Sequence, residues 1–255
     1  MQTDHPVVSQ AQWDEARKAL LEREKAYTHL RDELAAQRRA LPWVRIDKPY
    51  VFEGPHGKVS LADLFEGRSQ LIVQHFMLGP EWEEGCPGCS FGADHIGGAL
   101  VHLAHRDVSY VAVSRAPMEK IAAFKQRMGW EFEWVSSFGS DFNYDFHVSF
   151  TPEEQKADSV YYNYRTSPWI HDELPGHSVF YKDDEGRIFH TYSTYGRGFE
   201  EFLLTYMCLD LTPKGRDEDE RKMMGWMRHH DKYDDAPKQH AEAEGSSCCS
   251  HEKQA

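Results

Sequence analysis

The stretch from Leu71 to His95 constrains the fold more than any other part of the chain. It reads LIVQHFMLGPEWEEGCPGCSFGADH. A short apolar run, Leu71 to Phe76, reads as a strand. Gly79-Pro80 makes a turn, and Trp82 follows among Glu81, Glu83 and Glu84. Cys86-Pro87-Gly88-Cys89 then opens a segment of helical character. The pattern predicts a strand that delivers a Cys-x-x-Cys pair to a helix N-terminus.

That placement suits thiol–disulfide exchange, which needs a thiolate nucleophile and a second thiol able to resolve the mixed disulfide. Cys86 would sit at the N-terminal edge, where the helix dipole and free N–H groups favour a thiolate. Cys89 would lie one turn inward as the resolving thiol. Pro87 fixes one φ, and Gly88 lets the loop pass close to a partner. The three glutamates act oppositely. Facing Cys86 they would raise its pKa; facing solvent they leave the dipole to win. The sequence leaves both arrangements open.

The five cysteines, at 86, 89, 208, 248 and 249, are too few and too unevenly spread for a disulfide scaffold. The pair at 86 and 89 is therefore read as catalytic or metal-binding. With 255 residues the chain can bury a substantial core. Its formal net charge of −13 argues against binding nucleic acid or an anionic membrane through a basic surface. No run approaches the ~20 apolar residues of a membrane-spanning helix. The N-terminus lacks the basic and apolar regions of a signal peptide, so a cytoplasmic location is expected.

Around the pair, Val8 to Arg39 predicts a long amphipathic helix. Trp13, Ala16, Leu20, Tyr27, Leu30 and Leu34 form its stripe, Arg23 interrupts it and Ser9 serves as N-cap. It would pack on its own domain or reach to a second subunit, making a homodimer. Pro42 ends it. Val44 to Leu61 reads as two short strands about a turn, and Ser90 to His105 as a helix weakened by Gly92, Gly97 and Gly98. Val108 to Val113 reads as a buried strand, and a helix from Pro117 carries Ile121, Phe124 and Met128. Trp130, Phe132 and Trp134 alternate as a strand. From 138 to 176 Phe142, Tyr144, Phe146, Val148 and Phe150 alternate with polar residues, and Tyr161, Tyr162, Tyr164 and Trp169 follow. This is read as an aromatic-rich insertion over the core, with a lid or dimer contact as competing uses. A hairpin follows His177. A last core helix carries Phe199, Phe202, Leu203, Tyr206 and Met207, with Cys208 as small core filler. Met223 to Met227 reads as a short docked segment. The expected organisation is an N-terminal helix over 1–40, a core over 41–212 and a charged C-terminal segment over 213–255. Composition predicts disorder from about residue 234; Cys248 and Cys249 lie in that tail.

Five motifs together resemble a bacterial thioredoxin-like family of undetermined function, described as predicted dithiol-disulfide oxidoreductases. They are Arg38-Arg39-Ala40-Leu41-Pro42-Trp43, His75-Phe76-Met77, Cys86-Pro87-Gly88-Cys89-Ser90, Ser114-Arg115-Ala116-Pro117 and Gly176-His177-Ser178-Val179-Phe180. The resemblance implies an α/β, thioredoxin-like fold of the peroxiredoxin type: a central mixed sheet flanked by helices, with a long N-terminal helix and an aromatic-rich insertion. Two departures stand out. Where thioredoxins carry a cis-proline before the strand facing the dithiol, alignment on the hairpin places His177 or Ser178, with Pro175 slightly upstream. Where peroxiredoxins carry Thr or Ser three residues before their reactive Cys, this chain has Glu83.

The leading expectation is an oxidoreductase without a cofactor, with Cys86 attacking and Cys89 resolving a protein or small-molecule disulfide; peroxide reduction through the same pair is a variant. His177, Arg115 and Trp82 are candidate substrate or proton-transfer residues. For Arg115, a surface salt bridge is the competing role. The rival is a copper- or zinc-binding module using Cys86, Cys89 and His177, because soft thiolates with an imidazole suit such metals. His75, His95, His102, His105, His147 and His171 are further available imidazoles. A third reading is a non-catalytic thioredoxin-fold interaction protein.

Overall fold

The computed structural model describes residues 5–157, 159–169, 171–218 and 223–233. The tail with Cys248 and Cys249 lies outside them. Helix α1, Gln10–Arg39, starts where Ser9 and Gln12 cap each other's backbone, a reciprocal box that satisfies two otherwise free N–H groups. It ends at Ala40, two residues before Pro42. None of its residues is buried, and Trp13, Leu20, Tyr27 and Leu30 are each at least half exposed. The expectation that α1 packs on its own domain is corrected: its apolar stripe lies in the open. Near its C-terminal end Arg38 stands 3.4 Å from Glu201 and 5.8 Å over the Tyr192 ring.

Eight strands form one mixed sheet. They are β1 (Val44–Ile46), β2 (Val51–Gly54), β3 (Gly57–Ser60), β4 (Gln70–His75), β5 (Val108–Ser114), β6 (Glu133–Ser136), β9 (Gly176–Lys182) and β10 (Ile188–Tyr195). The separate hairpin of β7 (Val160–Tyr162) and β8 (Arg165–Ser167) lies between β6 and β9 in sequence. The sheet order is β1-β10-β9-β4-β5-β6-β2-β3. β4, β5 and β6 run parallel, while β9 lies antiparallel on the other side of β4, with Val73 opposite Ser178 and His75 opposite Gly176. Parallel neighbours need crossovers. The first contains α2 (Pro87–Ala93) and α3 (Leu100–His105), the second α4 (Met118–Met128). The remaining short helices are α5 (Phe142–Asp145), α6 (Pro152–Lys156) and α7 (Leu204–Leu209). This is a thioredoxin-like mixed sheet, flanked by helices and preceded by a long N-terminal helix.

Side chains alternate across β5, so the core has two sides. Val111 and Val113 join Phe52, Phe65, Leu71, Val73 and Phe180 on one face. Tyr110 and Ala112 join Phe76, Cys89, Ile121, Phe124 and Trp134 on the other. A third cluster of Phe91, Leu203, Tyr206 and Met227 fastens the segment after 223 to α2.

Several local expectations change. Val44 to Leu61 holds three strands: β1 joins β10 at one edge, while β2 and β3 close the opposite edge. The helix over 90–105 is broken between Ala93 and Leu100 by a 3-10 turn, where Gly97 and Gly98 have no side-chain packing to hold an α-helix. Trp130 and Phe132 precede β6 instead of belonging to it; their rings pack on Trp134. Phe142 to Phe150 is not a continuous strand. Its start is the single turn of α5, which puts Phe142 and Phe146 against the same core face as Phe52 and Phe180. The Asn143 carbonyl accepts from both Val148 and Ser149 N–H and turns the chain back. Cys208 is exposed, because α7 buries Tyr206 and a residue two positions on points to the other side. Among the described residues no helix is long and apolar enough to cross a membrane.

Candidate dithiol site

After β4 the chain passes Met77 and Leu78, loops through 79–85 and returns so that the Cys86 N–H donates to the Met77 carbonyl at 3.0 Å. Gly85 makes this return possible: a Cβ there would stand 2.6 Å from Phe76 and 2.8 Å from Phe124. Cys86 is the N-cap of α2, Pro87 occupies the first turn, and the Ser90 N–H and hydroxyl both bond the Cys86 carbonyl at 3.0 Å.

Both thiols are free; Cys86 is partly exposed and Cys89 buried. The Cys89 thiol is the main influence on the Cys86 sulfur, and the N–H groups of Cys89 and Gly88 act in the same direction. Together they hold the Cys86 pKa well below the usual thiol range, against the opposing effect of burial, with a smaller contribution from the His171 imidazole. Cys89 moves oppositely: its hydrogen bond to Cys86, burial and the Cys86 charge raise its pKa, and the Met77 N–H at 3.5 Å offsets part of this. Below Cys89, the buried Gln74 amide donates to its carbonyl at 3.2 Å and accepts from the Tyr110 hydroxyl at 2.8 Å.

Glu81 and Glu83 are exposed. Glu84 is held by Lys232 and Arg127, each at 2.7 Å, and these cations keep its carboxyl below the ordinary range.

Pro175 immediately precedes β9 and lines the cavity beside Cys86 and Cys89, which corrects the alignment that placed His177 or Ser178 there. No cis peptide bond occurs among the described residues. His177 lies one step deeper, beside a small void shared with Cys89 and Gln74. Its ring stacks flat on Phe202 at 4.2 Å, its Nδ1 has no hydrogen-bond partner, and burial pushes its pKa down to about 3. It is therefore a neutral imidazole near pH 7. Among the described residues no group of three or more His, Cys, Asp or Glu side chains is placed to hold a metal ion. Cys86, Cys89 and His177 do not converge as the three-ligand set the rival reading requires.

Arg115 and Trp82 belong to a neighbouring cluster. Arg115 Nη1 stands 3.4 Å from Glu173 Oε1, and its guanidinium lies 4.9 Å over the Tyr144 ring. Its partner is thus a buried carboxylate, not one at the surface. Glu173 accepts from Ser149 at 2.5 Å through its other oxygen. Burial pushes its pKa up to about 7, and the poorly aligned arginine offsets only part of that shift. Trp82 Nε1 donates to Asp172 at 3.3 Å, and its ring faces His171 at 5.3 Å.

Sequence reasoning missed Gln74, Glu173 and the wall supplied by Phe199, Leu203, Tyr206 and Met224. Gln74 interrupting an apolar strand was a usable signal; the wall has none, because it comes from distant loops.

No curated protein shows significant similarity to the chain. The Xanthomonas campestris bacterioferritin comigratory protein, described for alkyl peroxide reduction activity, is 11% identical, covering 65% of this chain and 94% of that one, with a TM-score of 0.45. Peroxidoxin BcpB of Mycobacterium tuberculosis is 14% identical over 66% and 97% of the two chains, TM-score 0.40. The mitochondrial 2-Cys peroxiredoxin of Plasmodium falciparum is 16% identical over 64% and 88%, TM-score 0.39. The family described as "Bacterial protein of unknown function (DUF899)" matches residues 2–233, nearly all of the described chain, and the protein belongs to that family.

Proposed function

We propose that the protein is a dithiol–disulfide oxidoreductase in which Cys86 attacks and Cys89 resolves. One observation carries the reading: Cys86 caps a helix with the buried Cys89 one turn inward, and the Cys89 thiol, with the N–H groups of Cys89 and Gly88, lowers the Cys86 pKa. Such a thiol is a thiolate near neutral pH, and the thiolate is the nucleophile of exchange. Attack on a disulfide makes a mixed disulfide with Cys86 and expels one thiolate. The charge that held the Cys89 proton is then gone. Cys89 loses that proton to the departing thiolate, attacks the Cys86 sulfur and releases the second thiolate. Two electrons pass to the substrate, and a Cys86–Cys89 disulfide remains.

The test is mass-spectrometric trapping. A Cys89→Ser variant treated with a disulfide is expected to accumulate the Cys86 adduct, whereas Cys86→Ser is expected to form none. An unmodified Cys89→Ser protein under conditions that oxidise free dithiothreitol would sink the reading.

A further inference from the structure

The wall opposite the dithiol carries information about what can reach it. A cavity of about 280 Å³ opens beside Cys86, floored by Cys86, Gly88, Cys89 and Pro175. Phe199, Leu203, Tyr206 and Met224 form its other side, Met223 standing at the edge. Met224 comes so close that a Cβ on Gly88 would lie 3.0 Å from its methyl group and 3.7 Å from Cys86 Sγ. The reactive sulfur therefore sits against a wall of thioether and aromatic groups instead of on an open face.

Among the described residues, the charged groups of this lining are already paired. Arg216 bonds Asp210 at 2.7 Å and covers the Tyr206 ring at 4.0 Å. Arg197 pairs with Glu200 at 2.6 Å. Glu218 accepts from the Tyr206 hydroxyl and Trp226 Nε1 at 2.6 Å each and from the Met224 N–H at 3.0 Å. An anionic substrate would have to break one of these pairs to gain a cation. An apolar one needs none of them and removes its own surface from water.

Resting on the oxidoreductase reading, we infer that the oxidising substrate is a small, uncharged disulfide with apolar substituents, bound in the cavity between Cys86 and the Leu203–Met224 wall. The volume lies just below the about 300–1,000 Å³ of small-molecule sites, which suits short alkyl or aryl groups and not a folded protein's loop. The reaction is R–S–S–R with the Cys86 thiolate and Cys89 thiol giving the Cys86–Cys89 disulfide, one RS⁻ and one RSH. The Cys89 proton leaves on the RSH.

The experiment uses the reduced full chain and compares dipropyl disulfide with bis(2-hydroxyethyl) disulfide, which match in length and differ in polarity. Glutathione disulfide and insulin serve as anionic and protein substrates. Formation of the Cys86–Cys89 disulfide, read by mass after acid quench and alkylation, gives a second-order rate constant for each, divided by that for oxidation of dithiothreitol by the same disulfide. The normalised ratio of dipropyl to hydroxyethyl disulfide is expected to be about tenfold or more, the scale set by burying two short alkyl ends. Glutathione disulfide and insulin are expected to fall below both. Met224→Gln, and separately the exposed Met223→Gln, are expected to bring that ratio toward one. A ratio of one in the unaltered protein, or insulin reacting as fast as dipropyl disulfide, overturns the substrate assignment and leaves the oxidoreductase reading standing. Failure of every disulfide to oxidise the pair overturns both.

Discussion

His229 Nε2 donates to the carbonyl oxygen of Gly85 across 2.7 Å, joining residues 144 positions apart at the peptide that leads into Cys86. The imidazole is buried and meets the Phe124 ring edge-on at 5.4 Å. His229→Ala would leave the Gly85 carbonyl without this partner, and a lost bond of this kind costs about 1–3 kcal/mol. Urea unfolding is expected to register that loss. In the same variant Cys89 is expected to alkylate faster, because the loop over it loses a tether.

The thiol pair titrates as a unit, and the direction can be tested at Cys89. Removing its S–H removes the largest influence lowering the Cys86 pKa. A hydrogen bond to a charged group is worth about 1.5–3 kcal/mol, so Cys89→Ala should move the pH midpoint of Cys86 alkylation upward by roughly one to two units. Cys89→Ser keeps an O–H donor and is expected to shift it less. An unmoved midpoint in both variants would assign the lowered pKa to the helix N-terminus instead.

Glu173 gives stability an unusual pH slope. Its folded-state pKa is raised to about 7, above the unfolded carboxyl value of about 4.3. Between those values the folded chain holds a proton that the unfolded chain has released. The preference for the folded state is thus fully present below about pH 4 and is lost as pH rises toward 7. Glu173→Gln is expected to remove this falling component, worth on the order of 2–3 kcal/mol across the window. Denaturant midpoints at pH 5 and pH 7.5 measure it.

Phe91 anchors the C-terminal segment, meeting Tyr206 at 5.5 Å and Trp226 at 5.7 Å, both edge-on. Phe91→Ala should cost about 3–5 kcal/mol if the site keeps its shape. Limited proteolysis is expected to cut within 223–233 first, since this cluster fastens that segment to α2.

What the sequence conveyed tracks how locally each feature is determined. The passage from β4 into a dithiol-capped α2 was legible, because the apolar Leu71-Ile72-Val73 of the strand, Pro87 and the cysteine spacing act within one short stretch. The Ser9 cap was legible for the same reason. The break at Gly97-Gly98 was only half legible: the glycines marked weakness, but whether packing would rescue the helix depended on distant neighbours. Phe142 to Phe150 misled because alternation normally marks a strand, while the Asn143 carbonyl and two buried rings select a turn. The glutamates illustrate the limit at the site itself. Adjacency to Cys86 suggested repulsion, yet Glu84 is neutralised by Arg127 and Lys232, residues 43 and 148 positions away.

The clasp of Gly85 by His229 also sets an order of events during synthesis. Cys86 and Cys89 leave the ribosome 143 and 140 residues before the imidazole that tethers their loop. At about 5–20 residues per second that interval is roughly seven to thirty seconds. Through it the nascent chain carries a dithiol without its final wall. Its exposure to oxidants is then greatest before the protein is complete.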